Sequence, residues 1–278
     1  MIVAVPDTKG GYRLYDPTSV LFSGDRLPGY AGNAPLLVCT PKGENLTRIP
    51  HIPAGENMGN IQAKSRIDGN GVLSSMVTIS GRGFYDEDLR NWGKRTRQDD
   101  YAKRWQEIVV QLHPAAKLIN LSTSDPEDLA TPFNVSFRYE VPGYAAPAGG
   151  GIALKSPLAT DCFERVVVDV IAKANRPERK YPFIVTSAAG VQAQETITLP
   201  RGYTVQSMPE TVSLKTKDLS LAVRYTAPAD ASDPRVEFSK SLLVDSRQFD
   251  PESYLELRKV LQANSSSRKG QVILALPQ

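Results

Sequence analysis

The sequence predicts a mainly β, α+β protein built from antiparallel β-sandwich domains with a few helices. Three observations carry that expectation. Phe133, Val135, Phe137, Tyr139 and Val141 alternate with Asn134, Ser136, Arg138 and Glu140, the period of a strand with one face in a core and the other in water. Leu219, Leu221, Val223 and Tyr225 repeat the pattern around Ser220, Ala222 and Arg224. Asp68-Gly69-Asn70-Gly71 separates two apolar-bearing runs, 61–67 and 72–79, which is a strong hairpin signal.

Composition narrows the functional classes. The 278 residues suffice for about two domains. Hydrophobic residues at 41% and charged ones at 23% are ordinary for a globular chain. A net charge of +3, from 33 basic and 30 acidic residues, is too balanced to point to nucleic acid or an anionic membrane. No apolar run approaches the length of a membrane span, so no membrane insertion is expected. Met1-Ile2-Val3 lacks the basic and long apolar regions of a secretion signal. Cys39, Cys162, His51 and His113 are too sparse and wrongly spaced for zinc. No metal or other cofactor is expected, and the two thiols are open to a disulfide, to staying free or to an intermolecular bond.

Residues 1–45 form the first segment. Met1-Ile2-Val3-Ala4-Val5 reads as a strand, followed by a Gly-bearing turn, a second strand Tyr12-Arg13-Leu14-Tyr15, and Asp16-Pro17-Thr18. Taken alone, Asp16 before a proline is a turn starter. Leu27-Pro28-Gly29-Tyr30 leads to a strand over 34–40, where Cys39 ends an apolar run and is expected to be buried. Residues 41–57 are rich in Pro and Gly, the mark of a connection, and hold His51 between Pro50 and Pro53.

The second segment, 46–185, opens with the hairpin. A calcium loop at Asp68 would need further carboxylates and a distal Glu, which do not follow at that spacing. A short mixed stretch runs through Trp92. Tyr101, Trp105, Ile108, Val109 and Leu112 then share one helical face over 98–112. Asp99 and Asp100 are expected to cap that helix and complement its dipole, and Pro114 stops it beside His113. Lys94, Arg95, Arg97, Lys103 and Arg104 are interleaved with acidic residues, a solvated face rather than a phosphate patch. Strands are expected over 117–121, 133–141 and 152–154. Pro147-Ala148-Gly149-Gly150-Gly151 reads as a flexible hairpin tip, and 162–171 as a strand or short buried segment.

The third segment, 186–278, carries strands over 196–199, 205–209, 211–214, 219–225 and 236–244, at a spacing that suggests a β-sandwich. Asp250-Pro251-Glu252 starts a helix with a cap, a proline at its first position and an acidic first turn. That helix is expected to fade at Asn264-Ser265-Ser266-Ser267, before a closing strand over 271–276.

These features resemble a known family. The strand–turn–strand that ends in Asp16-Pro17-Thr18 is similar to the end of the core in bacterial transglutaminase-like (Cys-His-Asp) proteins, which carry flanking β domains of unknown function. Tyr181-Pro182-Phe183, Leu199-Pro200-Arg201-Gly202-Tyr203, Pro209-Glu210 and the helical Tyr254…Leu257-Arg258 follow in the family's order. The resemblance implies that residues 1–45 are the C-terminal tail of a transglutaminase-like core. It implies further that Asp16 falls on the triad acid, the residue that orients the catalytic histidine. In the family that histidine lies in a Phe-Asn-His motif directly before the first strand, and the nucleophilic Cys lies well upstream. One triad position of three is therefore expected here, on a chain truncated after the histidine, and Asp16 would be vestigial. A cysteine nucleophile needs both a base and a group that fixes the base's tautomer. The parent is implied to be extracytoplasmic, periplasmic or secreted.

The expected function is thus a non-catalytic accessory region, whose partners are the missing transglutaminase-like core and protein or peptide ligands. One alternative is part of a cysteine peptidase or amidase with Asp16 as its acid. A rebuilt Cys39–His51–Asp16 triad is the form in which this chain alone would act. The other alternative, a carbohydrate-binding or adhesion module, rests on fold class. A strand at residues 1–5 parted from its core would expose an edge.

Overall fold

Asp68 fixes the first long hairpin. Its Oδ1 accepts the backbone N–H groups of Asn70 and Val72, both at 2.9 Å, and Gly71 takes a φ of 75°. The computed structural model describes residues 2–18, 20–22, 27–148, 151–164, 173–228 and 234–275. In chain order the elements are β1 (Val3–Pro6), β2 (Tyr12–Tyr15), β3 (Pro35–Leu36), β4 (Thr47–Arg48), β5 (Met58–Ile67), β6 (Leu73–Gly81), α1 (Phe84–Arg95), α2 (Gln98–Val110), β7 (Lys117–Thr123) and β8 (Asn134–Val141). There follow β9 (Ala146–Ala148), β10 (Gly151–Leu154), β11 (Phe183–Ile184), β12 (Ala189–Thr198), β13 (Thr204–Ser207), β14 (Val212–Lys215), β15 (Leu219–Thr226), β16 (Arg235–Val244), β17 (Gln248–Phe249), α3 (Pro251–Ser267) and β18 (Val272–Ala275). The protein is mainly β with a few helices, of α+β class, as its alternation predicts.

The main sheet has the order β14-β15-β16-β12-β5-β6-β8-β7. Its centre is a parallel seam, with Gly190 to Thr198 of β12 beside Met58 to Arg66 of β5. Its other neighbours are antiparallel. The seam hydrogen-bonds the segment read over 46–185 to the one read over 186–278, so a single sheet runs through both. A smaller sheet has the order β13-β18-β10-β9.

One face of the main sheet is the core. Ile61, Val77, Phe137, Tyr139, Val191, Ile197, Leu221 and Val236 all point into it and are at most 2% exposed. α1 lies against β5 and β6, α2 against β7, and α3 against β14, β15 and β17. The Trp105 ring of α2 meets Phe137 at 4.8 Å between centroids. The opposite face alternates outward and is polar and open.

Several expectations need correction. Residues 84–95, read as mixed, form α1, because Tyr85, Leu89 and Trp92 lie on one helical face; Asp86 and Glu87 in the first turn and Lys94 and Arg95 in the last complement the dipole. Asp99 and Asp100 do not cap α2. Its N-cap is Arg97, without a side-chain cap bond, and the two aspartates sit in the first turn. α3 keeps its expected cap, Asp250 Oδ1 accepting the Ser253 N–H at 2.8 Å, but runs on to Ser267 because Asn264 faces the core at 1% exposed. Only Pro35–Leu36 of the strand expected over 34–40 is paired, with two residues of β4. Cys39 is consequently exposed and free, not buried, and Cys162 is free as well. The glycines Gly149 and Gly150, the stretch 165–171 and Leu276 lie outside the described residues.

Candidate functional site

The β1–β2 hairpin delivers Asp16 at its end. The hairpin is a two-stranded sheet of its own, Val3 opposite Tyr15 through Pro6 opposite Tyr12. Asp16 Oδ1 accepts the Thr18 N–H at 3.0 Å and the Thr18 hydroxyl at 2.6 Å, while Oδ2 accepts the Tyr30 hydroxyl at 3.1 Å. The Thr18 hydroxyl, then the Thr18 amide, hold the Asp16 carboxyl below its ordinary value. Tyr30 moves the opposite way: its burial and its bond to Asp16 raise the phenol. The group is a charged turn residue with both oxygens engaged.

The other sequence-selected residues do not gather around it. The His51 Nε2 lies 3.6 Å from Asp245 Oδ1, an oxygen that also accepts the Ala54 N–H at 2.5 Å. Cys39 stands exposed. Among the described residues, no hydrogen bond joins Asp16, His51 and Cys39, so the rebuilt triad is absent. A cleft of about 660 Å³ runs between β2 and residues 49–57, walled by Tyr15, Phe22, Ile49 and His51, and neither Asp16 nor Cys39 lines it. His113 is spent locally, its Nδ1 accepting the Ala115 N–H at 3.2 Å.

Sequence reasoning passed over the two most unusual ionisable groups, which lie in the core. Glu195 of β12 is 2% exposed. The hydroxyls of Ser65 and Ser156 reach its two oxygens at 2.5 Å each, and the Leu158 N–H reaches Oε2 at 3.3 Å. Burial pushes this carboxyl up, against the pull of those donors. Lys240 of β16 is 3% exposed. Its ammonium donates to Asp161 Oδ1 at 2.8 Å and to Glu164 Oε1 and Oε2 at 2.8 and 3.0 Å. Arg268, at the end of α3, reaches Asp161 Oδ2 at 2.7 Å. Desolvation, offset in part by Lys240, raises Glu164 to about 7. A signal was present: Glu195 occupies the apolar register of Val191, Ala193 and Ile197, and Lys240 that of Val236, Phe238 and Leu242. Glu195, Lys240, Asp161 and Glu164 are buried, and the partly exposed Arg268 covers the second cluster from outside. The two clusters clamp residues 156–164 onto the inner face of the sheet rather than offering a reactive group to a substrate. Among the described residues, no group of three or more His, Cys, Asp or Glu side chains is placed to hold a metal ion.

Taken together, fold and site define a mainly β protein in which a half-separate N-terminal hairpin adjoins a large mixed sheet. Residues 162–274 match a family described as a Domain of Unknown Function with solved-structure structure (DUF3858). The match takes in Glu164, Glu195, Lys240 and Arg268. No curated protein matches the chain. Among solved structures, it is similar to a crystal structure described as that of a "putative protease" from Parabacteroides distasonis ATCC 8503, with 14% identity and a TM-score of 0.33, over 38% of this chain and 21% of that one. The chain thus spans about a fifth of the length of that protein, and a likeness of this strength defines neither a shared fold nor an activity. Among the described residues, no helix is long and apolar enough to cross a membrane.

Proposed function

We propose that this chain is the non-catalytic accessory and interaction region of a transglutaminase-like protein, serving a core that carries the Cys and His. One observation carries the reading: Asp16 sits at the end of a hairpin outside the main sheet, its oxygens taken by Thr18 and Tyr30 with neither His51 nor Cys39 bonded to it. A carboxylate alone neither generates a thiolate nor moves a proton between base and leaving group. The hairpin also has the character of a docking element, since Val3 and Val5 are each 44% exposed and, among the described residues, β1 pairs only with β2. Two assays on the purified chain test the reading. It is expected neither to hydrolyse nor to transfer amide bonds, and to bind a purified transglutaminase-like core in a way that Val3→Asp with Val5→Asp abolishes. Amide chemistry lost on Cys39→Ala, or core binding indifferent to the Val3 and Val5 changes, overturns it.

A second reading has one observation in its favour. Asp16 is held in its ionised form, the state that a triad acid needs in order to orient an imidazole. In that case the chain is part of a cysteine peptidase or amidase, completed by a core that supplies Cys and His. Asp16→Ala would then abolish the activity of the assembled protein, whereas under the first reading it leaves that activity intact.

A further inference from the structure

We propose that the open face of the main sheet binds an acidic polysaccharide along a row of amides and hydroxyls that crosses five strands. The site is independent of Asp16 and of any transglutaminase-like core.

The strand registers place the row. Arg224 of β15 stands opposite Ser239 of β16, Ser239 opposite Gln194 of β12, Gln194 beside Gln62 of β5, and Gln62 opposite Thr78 of β6. A second row runs parallel to it one outward position along, through Ser241, Gln192, Asn60 and Ser80. On the other side Lys64 lies beside Thr196 and opposite Met76. Gln62, Lys64, Gln192, Gln194, Arg224 and Ser239 are all exposed. The first row and Lys64 line a trough of about 880 Å³. Four strand spacings give it a length of roughly 19 Å.

The chemistry selects the occupant. Gln, Asn, Ser and Thr side chains both donate and accept hydrogen bonds, which matches a ligand whose hydroxyls do the same. The two rows contain no carboxylate. Glu237 closes the Lys64 row, opposite Thr196, and its exposed carboxylate is paired with Arg235 at 3.0 Å. Lys64 and Arg224 have no hydrogen-bond or ion-pair partner among the described residues, so two cations flank a neutral hydrogen-bonding floor. Carboxylates spaced along a polyhydroxyl chain would complement that charge. A nucleic acid would call for a larger set of phosphate-neutralising cations than these two. An apolar peptide would find little to bury, since of the apolar residues lining the trough Met76 is exposed while Ala63 and Phe238 are buried.

The probe is polygalacturonate, with neutral dextran and single-stranded DNA as comparisons, in affinity gel electrophoresis and titration calorimetry on the whole chain. Polygalacturonate is expected to retard the protein, with retardation weakened by added salt. Lys64→Gln with Arg224→Gln is expected to cost about tenfold in affinity. Gln194→Glu, which sets a like charge in the floor, is expected to weaken binding too. All three changes lie on exposed positions, and unchanged thermal unfolding confirms that each variant is folded. Absence of retardation, equal retardation of the double variant, or tighter binding of dextran or DNA overturns the proposal.

Discussion

The Lys240 ammonium lies 2.8 Å from one Glu164 oxygen and 3.0 Å from the other, and each side chain is 1% exposed. Lys240 belongs to β16, at the middle of the sheet, and Glu164 to the segment laid over it. The pair therefore ties a loop to the sheet at a place where neither charge can be hydrated by water. Removing one member leaves the other uncompensated. Breaking such a pair costs about 3–5 kcal/mol, even where replacing the whole pair by apolar side chains would be neutral or better.

Lys240→Met is accordingly expected to destabilise the protein by about 3–5 kcal/mol near pH 8, where Glu164 is ionised. Asp161 keeps Arg268 at 2.7 Å, so Glu164 is the group left exposed to the loss. Adding Glu164→Gln to Lys240→Met should recover a substantial part. Urea unfolding of the two variants checks this; a double variant no more stable than the single one would show that the pair is not what Lys240 serves.

The pH dependence follows from the same group. Folding raises Glu164 from 4.5 to about 7, with burial as the largest cause. Below pH 4.5 it is protonated folded and unfolded, and its contribution is fully present. From there up to about 7 the unfolded chain releases the proton and the folded one keeps it, so stability falls by about 3 kcal/mol. Glu195, also raised, acts in the same direction. Asp7, Asp16, Asp128 and Asp250, all lowered, act in the opposite sense only as the pH falls toward and below 3.8. The urea midpoint is therefore expected to be higher near pH 5 than near pH 8, with the gap narrowed in Glu164→Gln. An unchanged gap in that variant counts against the assignment.

These two residues also mark where the sequence stops being readable. β8 and β15 are plain from alternation, because one buried face and one wet face leave a period of two. The β5–β6 turn is plain from Asp68 and Gly71. At Lys240 and Glu195 two signals conflict: the strand register points inward, while charged residues ordinarily face water, so residue type masks the register. The parallel seam between β5 and β12 carries no local signal, since its two strands are joined only through everything between them. Cys39 misled for the converse reason: Leu36-Leu37-Val38 is apolar enough for a core strand, yet its partner β4 offers only Thr47 and Arg48. The Asp16 turn was legible, but its Tyr30 partner, fourteen residues on, was not.

Gly83 joins the sheet to α1 with a φ of 59°, a region that side chains disfavour. A Cβ there would also strike the Glu56 carbonyl oxygen and the Asn57 amide oxygen. That Asn57 oxygen accepts the Phe84 N–H at 3.1 Å at the start of α1. Strain and collision thus coincide with the helix start. Gly83→Ala is expected to cost more than about 1 kcal/mol in urea unfolding. Gly43→Ala, which shares the positive φ at 74° but has open space around it, should cost less.

Trp105 is the largest of the fully buried side chains, at 1% exposed. Its ring centroid lies 4.8 Å from Phe137 of β8, 5.0 Å from Trp92 of α1 and 6.2 Å from Tyr101 of its own helix. It therefore links both helices to the sheet through one side chain. Trp105→Ala removes those contacts and leaves a void that the rigid strands cannot close, so a loss of about 3–5 kcal/mol is expected. For a chain of this size that corresponds to a fall in the melting temperature on the order of 10 °C. Trp105→Phe, which keeps a ring against Phe137, should cost clearly less. Thermal unfolding followed by circular dichroism distinguishes the outcomes. A Trp105→Ala protein that melts with the parent would mean that α1 and α2 are held on the sheet by something other than this aromatic contact.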